Sequence, residues 1–416
     1  MLVDYKSLIK NRNFLYLWFS QILSQLAIHI LNFTLLIRIY SETNSTIATS
    51  FLWVVYALPA VFVGPVASAS VDLFNRKKIL MFTNLAQALT ILLYAVTHTQ
   101  SLFLIYTVAL LYSLFNQFYV PAELASLPSV TKEENLPYAN GLFFITQQAA
   151  LIVGFGVAGL ILNYLGLVNT LYVCSIFLFF AFISVSFLPR INKTQTFTSS
   201  FEETIISFFR RIVEGYNFIK EDKRILYPFS LIIILQISLA VIAVNAPIIA
   251  TDIFNIQVNL AGIGLVVPAG LGAAVGAVII ARMLREGVRK KKLIQTSLIL
   301  VGLVMLLITF LVPVLNQYLK LVIGTALIAA LGFAFVGILI PSQTFLQEKT
   351  PGGLRGRVFG NIWFMSTIFT IFPVIISGAV TELLGAQFIT FIFSFVYVGI
   401  FLYLKKHTLT YLQKTP

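Results

Sequence analysis

Long apolar runs alternate with short polar segments along the chain. Each run is close to the roughly 20 residues that a helix needs to cross the hydrocarbon core of a bilayer, and the runs carry very few charges. Six runs precede a polar stretch at 190–224, and six follow it. They fall at 14–40, 47–71, 79–97, 101–122, 139–164, 167–189, 226–250, 259–281, 292–313, 319–345, 356–380 and 386–404. The pattern predicts an all-α membrane protein with twelve transmembrane helices.

The composition supports this interpretation and excludes several classes of protein. Hydrophobic residues make up 59% of the 416 residues and charged residues 10%, whereas soluble proteins carry about 45–50% and about 25%. The single cysteine, Cys174, excludes an intramolecular disulfide, and the three dispersed histidines do not suggest a metal site. The chain shows no phosphate-binding loop for ATP. We therefore expect no enzyme activity, no cofactor and no metal.

The basic residues fall on one side of the predicted membrane. All but two of the 28 Lys and Arg lie in the terminal segments or in loops that the helix count places on the same side, and the exceptions are Arg38 and Lys320. Because cytoplasmic loops carry an excess of Lys and Arg, we expect both termini and the 190–224 connection in the cytoplasm. This asymmetry accounts for the net charge of +13 without a nucleic-acid partner.

Two features recur at the same place in each half of the chain. Pro121 and Pro341 stand at the ends of helices 4 and 10, and basic clusters follow helices 2 and 8. Six helices separate the members of each pair, so both halves enter the membrane in the same sense, as in parallel-repeat transporters. The predicted domains are a six-helix bundle at 1–189, a cytoplasmic linker with an amphipathic helix at 190–224 and a second six-helix bundle at 225–416.

The most specific motif lies between helices 2 and 3. It reads Gly64-Pro-Val-Ala-Ser-Ala-Ser-Val-Asp-Leu-Phe-Asn-Arg-Lys-Lys78, in which Ser68, Asp72 and Arg76 hold the key positions. The motif resembles the helix 2–3 signature of the major facilitator superfamily, although three of its residues differ from the usual ones. The resemblance implies the fold of that superfamily, with two pseudo-symmetric six-helix bundles.

The resemblance also implies a gating latch on the cytoplasmic side. In this latch, Asp72 faces the N-terminal end of helix 11, where a carboxylate interacts with the helix dipole and with nearby arginines. Arg355 and Arg357, just before helix 11, are the natural partners. The predicted latch therefore consists of Ser68, Asp72, Arg76, Arg355 and Arg357.

Four further stretches are similar to the bacterial efflux branch of the superfamily. They are 120–123, 139–141, 214–219 and 350–358. The branch includes macrolide-efflux-like and enterobactin-exporter-like proteins, and the bacterial lysophospholipid transporter is similar in several of the same places. The resemblance implies a secondary-active transporter of the bacterial cytoplasmic (inner) membrane that works by alternating access, and we expect a monomer.

Helix 1 carries a stripe of polar residues, Gln21, Gln25, His29 and Asn32. Their spacings of 4, 4 and 3 put all four side chains on one face of the helix. One interpretation is that the stripe lines the substrate cavity, as helix 1 does in the superfamily. The other is that these residues bond neighbouring helices.

Other helices contribute further candidates for the substrate cavity. They are Tyr112, Asn116, Gln117, Gln148, Gln236 and Asn245. Helices 10 and 11 offer mainly Thr325, Asn361, Ser366 and Thr367. A cavity with one polar wall and one apolar wall suits a small hydrophobic or amphiphilic substrate.

A coupling proton would need a titratable group inside the membrane. By sequence, Asp72 and Glu123 lie at the cytoplasmic ends of their helices, and no carboxylate is expected near the middle of a span. His29 is then the candidate proton site, with a neutral, hydrogen-bonding histidine as the alternative. Arg38 either extends its head group to the outer surface or serves as a site for a substrate anion.

Three functions remain open on these residues. The first is an exporter of small hydrophobic or amphiphilic compounds, with the lipid bilayer and a coupling proton as further partners. The second is a lysophospholipid transporter or flippase of the same fold. The third is a sensor or scaffold that keeps the fold but does not transport.

Overall fold

The computed structural model describes residues 7–97, 101–189 and 201–407, which are almost entirely helical. Short 3-10 and π turns join α5 to α6, α8 to α9 and α10 to α11. The helices are α1 Arg12–Thr43, α2 Thr46–Phe62, α3 Gly64–Leu73, α4 Arg76–Thr97, α5 Leu102–Val130, α6 Leu136–Ser186, α7 Phe201–Glu221, α8 Lys223–Ile248, α9 Val267–Arg285, α10 Lys290–Phe310, α11 Gln317–Lys349, α12 Gly352–Leu384 and α13 Ala386–His407.

Ten helical stretches in these described ranges are long and apolar enough to cross a membrane. One of them contains α6, whose 51 residues span about 76 Å, more than twice the roughly 30 Å of a hydrocarbon core. Gly166 breaks α6 with φ 76° and ψ 173°, so this stretch supplies two crossings. The left-handed φ is one that glycine adopts without strain.

The remaining crossing is built from α2 and α3. These helices have 17 and 10 residues, and Val63 separates them just before Pro65, which stands in the first turn of α3. Proline lacks an N–H and fixes its φ, so it is suited to a helix start and not to a helix interior. With this crossing and the two in α6, the prediction of twelve transmembrane segments in an all-α membrane protein is confirmed.

By its contacts the chain divides into two compact units. The first unit holds Met1–Ile39 and Val55–Phe208, and the second holds Tyr40–Val54 and Phe209–Pro416. α1 therefore runs from the first unit into the second between Ile39 and Tyr40. This division differs from the predicted domain bounds, because the α1–α2 turn groups with the second unit and the linker helix α7 is shared.

Small residues let helices of the second unit approach closely. Gly272 of α9 lies against the backbone of Ala329, and Gly332 of α11 lies against the backbone of Ala269. At either glycine a Cβ atom would overlap a carbonyl oxygen of the facing helix. Without a hydrophobic driving force between helices in lipid, such close van der Waals packing is what holds a bundle together.

The predicted amphipathic helix of the linker is present as α7. Its last turns pack on the second unit, where Ile219 is buried with Ile225, Val358 and Ile362. A different side of α7 is exposed and apolar, at spacings that form one helical stripe. The residues of this stripe are Ile206, Phe209, Val213 and Tyr216.

Candidate functional site

The polar stripe of α1 divides between packing contacts and side chains that remain available. Gln21 is buried, and its Nε2 donates to the carbonyl of Phe143 on α6 at 3.0 Å. Asn32 hydrogen-bonds with Tyr56. Gln25 is half-buried and has no hydrogen-bond partner within the part of the chain that the structure describes. Gln21 therefore joins two helices, whereas Gln25 keeps its amide free for another partner.

His29 lies at a close contact between α1 and α6. A Cβ atom on Gly154 of α6 would stand 2.6 Å from the Cβ of His29, and the imidazole lies 5.7 Å from the ring of Phe155. The Nε2 atom of His29 is buried and has no hydrogen-bond partner among the described residues. The role of His29 as a proton site stays a prediction, and so does the role of Arg38.

The other candidates of the first unit differ in exposure. Tyr112 is fully buried, so its ring belongs to the packing of α5. Asn116 is half-buried, and Gln117 donates from Nε2 to the carbonyl of Ser113 at 3.3 Å. Gln148 on α6 is exposed. The role of these four residues in the substrate cavity stays a prediction.

In the second unit, Asn245 joins α8 to α12. Its Nδ2 donates to the hydroxyl of Ser377 at 3.1 Å and to the carbonyl of Val241 at 2.8 Å. The side chain is fully buried. Gln236, about two turns earlier on α8, is half-buried and has no hydrogen-bond partner among the described residues. Of these two candidates, Gln236 is the one whose amide remains available.

The polar side chains of α11 and α12 mostly bond their own helices. Thr325 donates to the carbonyl of Leu321, and Thr367 donates to the carbonyl of Trp363 at 2.9 Å. Asn361 donates to carbonyls of α7 and of its own helix. A hydroxyl bonded to its own helix offers little to a ligand, so these helices present a mainly apolar surface.

The sequence placed Glu123 at a helix end, but the structure buries it inside α5. Its side chain is 3% exposed, and the hydroxyl of Tyr119 donates to its Oε1 at 2.7 Å. Glu123 forms no ion pair with any residue that the structure describes. A buried carboxylate without a cation is costly in an apolar surrounding, so this group is suited to bind a proton.

Hydroxyl and amide groups from α1 and α4 surround the Tyr119–Glu123 pair. Tyr119 also lies within hydrogen-bonding distance of Ser20 and Ser24 on α1. Ser24 donates to Oδ1 of Asn84 at 3.0 Å, and Nδ2 of Asn84 donates to Ser20 at 3.2 Å. We call these five residues the Glu123 cluster. Its sequence signal is two pairs spaced by four, Ser20–Ser24 and Tyr119–Glu123, which place each pair on one helical face.

The three arginines of the predicted latch each have a partner in the structure. Arg76 donates from Nη1 to the carbonyl of Ala125 at 2.7 Å, and Arg355 donates from Nε to the carbonyl of Thr350 at 3.2 Å. Arg357 forms an ion pair with Glu214 of the linker helix. The backbone of Asp72 lies in α3, but its side chain is outside the described residues, so the latch stays a prediction.

The turn between α1 and α2 is bonded to α12. Ser45 donates to Oε2 of Glu382 at 2.7 Å, and the backbone N–H of Ile47 donates to the same oxygen at 3.2 Å. Thr46 donates to the carbonyl of Gly378 at 2.6 Å. The carboxylate thus accepts from one backbone N–H that the start of α2 would leave unpaired, and from one side-chain hydroxyl. The sequence motifs gave no sign of this contact.

Comparison with known proteins adds a family and several relatives. A sequence model of the Major Facilitator Superfamily matches residues 17–374. The MFS-type transporter YfiS of Bacillus subtilis (strain 168) is 25% identical over 92% of this chain and 90% of its own. The multidrug efflux pump Tap of Mycolicibacterium fortuitum is 24% identical over 83% of this chain and 84% of Tap.

Two further comparisons agree with these. Macrolide efflux protein A of Streptococcus pyogenes is 24% identical over 89% of this chain and 90% of its own. Among solved structures, the nucleoside transporter NupG superimposes with a TM-score of 0.73, covering 96% of this chain and 99% of NupG at 16% identity. At that identity the likeness concerns the fold alone.

Proposed function

The chain belongs to the Major Facilitator Superfamily, and on that premise we propose that it is a secondary-active exporter of small hydrophobic or amphiphilic compounds. The observation that carries the proposal is the likeness of most of the chain to a multidrug efflux pump and a macrolide efflux protein. Those relatives support the proposed export direction and the proposed breadth of the substrate class. Alternating access is the mechanism that we assign to it.

The polar side chains of the candidate cavity residues support the proposed substrate class. Gln25, His29 and Gln236 retain amide or imidazole groups without described partners, whereas the hydroxyls of Thr325 on α11 and Thr367 on α12 are bonded to their own helices. A few polar groups beside apolar surface suit a compound with few hydrogen-bonding groups of its own. A sugar would leave many of its hydroxyls unpaired at such a surface, which costs binding free energy.

The proposal includes a proton as the coupling ion and Glu123 as its site. Glu123 is a buried carboxyl, and its described partner is a neutral hydroxyl. Protonation removes the charge from an apolar surrounding, and deprotonation restores a charge that only a wetter surrounding tolerates. Inward movement of this proton accompanies the outward movement of one compound. His29 is thereby assigned to substrate contact.

The proposal also covers the orientation of the protein in the membrane. The protein works as a monomer in the inner membrane of a bacterium, with both termini and the linker helix α7 in the cytoplasm. The distribution of Lys and Arg supports this orientation. In the state in which the protein is open to the outside, the latch of Asp72 with Arg355 and Arg357 holds the cytoplasmic side closed.

Transport in proteoliposomes tests the proposal. Fluorescent dyes, a macrolide and a labelled lysophospholipid are assayed with and without a pH gradient. We expect gradient-dependent movement of the dyes or the macrolide, and a fall of about fivefold to tenfold in Gln25→Ala and in His29→Ala, as for the loss of one hydrogen bond. Gln257→Ala, an exposed glutamine outside the helices, is the matched control and is expected to transport normally.

Two results would overturn parts of this proposal. Wild-type transport in both α1 variants would remove the α1 stripe from the substrate path. Movement of the lysophospholipid alone, without a pH gradient, would establish the alternative function, a lysophospholipid transporter or flippase.

A further inference from the structure

A groove in the second unit combines positive charge with an apolar interior. It is formed by α8, α10, α11 and α13, and about 550 Å³ of space lies within it and its open mouth. Arg224, Lys290 and Lys291 supply three cationic groups, and Leu231, Ile294 and Phe345 supply apolar surface. All of its lining residues belong to one unit, so the groove is separate from the α1 stripe and from the Glu123 cluster.

Two of the apolar side chains follow the cationic residues along their own helices. Arg224 and Lys290 stand in the first turns of α8 and α10. Leu231 follows Arg224 by about two helical turns, or about 10 Å along the axis, and Ile294 follows Lys290 by about one turn. An occupant that fits this order has an anionic group at one end and an apolar chain next to it.

The cationic groups of the groove differ in their partners. Lys290 forms an ion pair with Glu348, whose side chain is 52% exposed. Asp222 accepts a hydrogen bond from the backbone N–H of Arg224, at 2.8 Å. The guanidinium of Arg224 has no ion-pair partner among the residues that the structure describes. Arg224 therefore leaves a positive charge in the lining of the groove.

The surroundings of the groove are typical of a membrane boundary. The ring of Tyr227, which lines the groove, lies 6.3 Å from the ring of Tyr403, which is exposed on α13. Tyrosine is enriched at the level of the lipid head groups, where its ring is apolar and its hydroxyl is wet. The neighbouring Leu226 and Leu402 are also exposed, as expected for side chains in contact with acyl chains.

We propose that this groove binds an anionic phospholipid, with its phosphate at Arg224, Lys290 and Lys291 and an acyl chain against Leu231, Ile294 and Phe345. Basic pockets between transmembrane helices are suited to anionic lipid head groups. A soluble phosphate would bind the cationic groups but would leave the apolar side chains of the groove without a partner. That the lipid comes from the cytoplasmic leaflet rests on the proposed orientation, because the first turns of α8 and α10 lie on that side.

Native mass spectrometry of the detergent-purified protein tests the site. The probes are phosphatidylglycerol, phosphatidylcholine with the same chains, and inorganic phosphate. Arg224→Gln with Lys291→Gln removes two of the cations, for which we expect the affinity for phosphatidylglycerol to fall about 25-fold. The control is Arg282→Gln with Arg285→Gln, two basic residues that end α9 outside the groove, for which we expect no more than a twofold change, about the precision of the titration.

A second variant tests the apolar part without changing charge. Ile294→Phe fills the depth of the groove and is expected to weaken phosphatidylglycerol binding while the protein keeps its helical circular dichroism. Equal losses in the two charge variants would overturn the proposal, because they would indicate a general surface effect. Equal binding of both lipids, or displacement of the lipid by inorganic phosphate, would also overturn it. These readouts do not require transport, so they are independent of the proposed function.

Discussion

Tyr119 donates a hydrogen bond from its hydroxyl to Oε1 of Glu123 at 2.7 Å, and both side chains are buried within the first unit. The two residues are one helical turn apart on α5, so they share a face. The polar groups next to them, from Ser20, Ser24 and Asn84, are all neutral. A carboxyl in such a place changes its charge only by exchanging a proton, which is the basis of the first prediction.

Replacement of Glu123 by Gln is expected to uncouple transport from the pH gradient. The amide fills the same space and keeps a hydrogen bond with Tyr119, but it cannot exchange a proton. Gradient-driven efflux should therefore fall to background, whereas substrate counterflow, which needs no net proton movement, should persist. Glu286→Gln, at an exposed carboxylate paired with Arg282, is the control. Gradient-driven efflux at the normal rate in Glu123→Gln would contradict the role of this carboxyl.

Replacement of Gly154 by Ala is expected to disturb the contact of α6 with α1. The added methyl group would lie 2.6 Å from the Cβ of His29, and overpacking of this kind costs about 1–3 kcal/mol of the free energy of unfolding. Gly141→Ala on the same helix is the matched control, because no atom lies within 4 Å of its Cβ position. Denaturant titration in mixed micelles measures both. Equal stability of the two variants would mean that the helices separate freely at Gly154.

Replacement of Ser45 and Glu382 by cysteine is expected to allow a cross-link between the α1–α2 turn and α12. The native hydroxyl and carboxylate oxygens lie 2.7 Å apart, and the one native cysteine, Cys174, is buried and should not react. A short bifunctional thiol reagent should join the pair and stop transport, and reduction should restore it if the reagent carries a disulfide. The two single-cysteine variants are the controls. Full transport by the cross-linked protein would show that this contact does not open during the cycle.

Loss of the ion pair between Glu214 and Arg357 is expected to loosen the linker helix α7. The two side chains are 41% and 38% exposed, so solvent screening limits the pair to about 0.5–1 kcal/mol. Hydrogen exchange of the amides at 209–221 should rise about twofold to fivefold in Glu214→Gln, in line with that free energy. The reversed pair, Glu214→Arg with Arg357→Glu, should restore slow exchange. Fast exchange in the reversed pair would show that the charges are not what holds α7.

The twelve transmembrane segments could be predicted from the sequence because their cause is local. In lipid every backbone N–H and C=O must be bonded within the protein, and a helix meets this requirement inside its own segment, so an apolar run of about 20 residues forms a helix largely independently of its neighbours. The break at Gly166 also lies between the two runs predicted at 139–164 and 167–189. The family could be recognised for a related reason, since the helix 2–3 motif is contiguous in the chain.

The candidate site could be predicted only in part. The spacing of Gln21, Gln25, His29 and Asn32 correctly put them on one helix, but it could not tell which amide would bond α6 and which would remain available. The partners of Arg357 were also beyond the sequence. The structure pairs Arg357 with Glu214, which is far from it in the chain but close once α7 packs on α12. Its pairing with Asp72 stays a prediction.

By itself, then, the sequence determined the helices, their number and the family, because each follows from composition and order within a segment. Only the tertiary structure decided that Glu123 is buried, that the α1–α2 turn is bonded to α12, and that basic first turns meet over an apolar groove. Burial and hydrogen bonding between helices depend on which faces meet, and neighbouring faces come from residues distant in the chain. For Glu123 the decisive neighbours are on α1 and α4, and no pattern within α5 could have shown them.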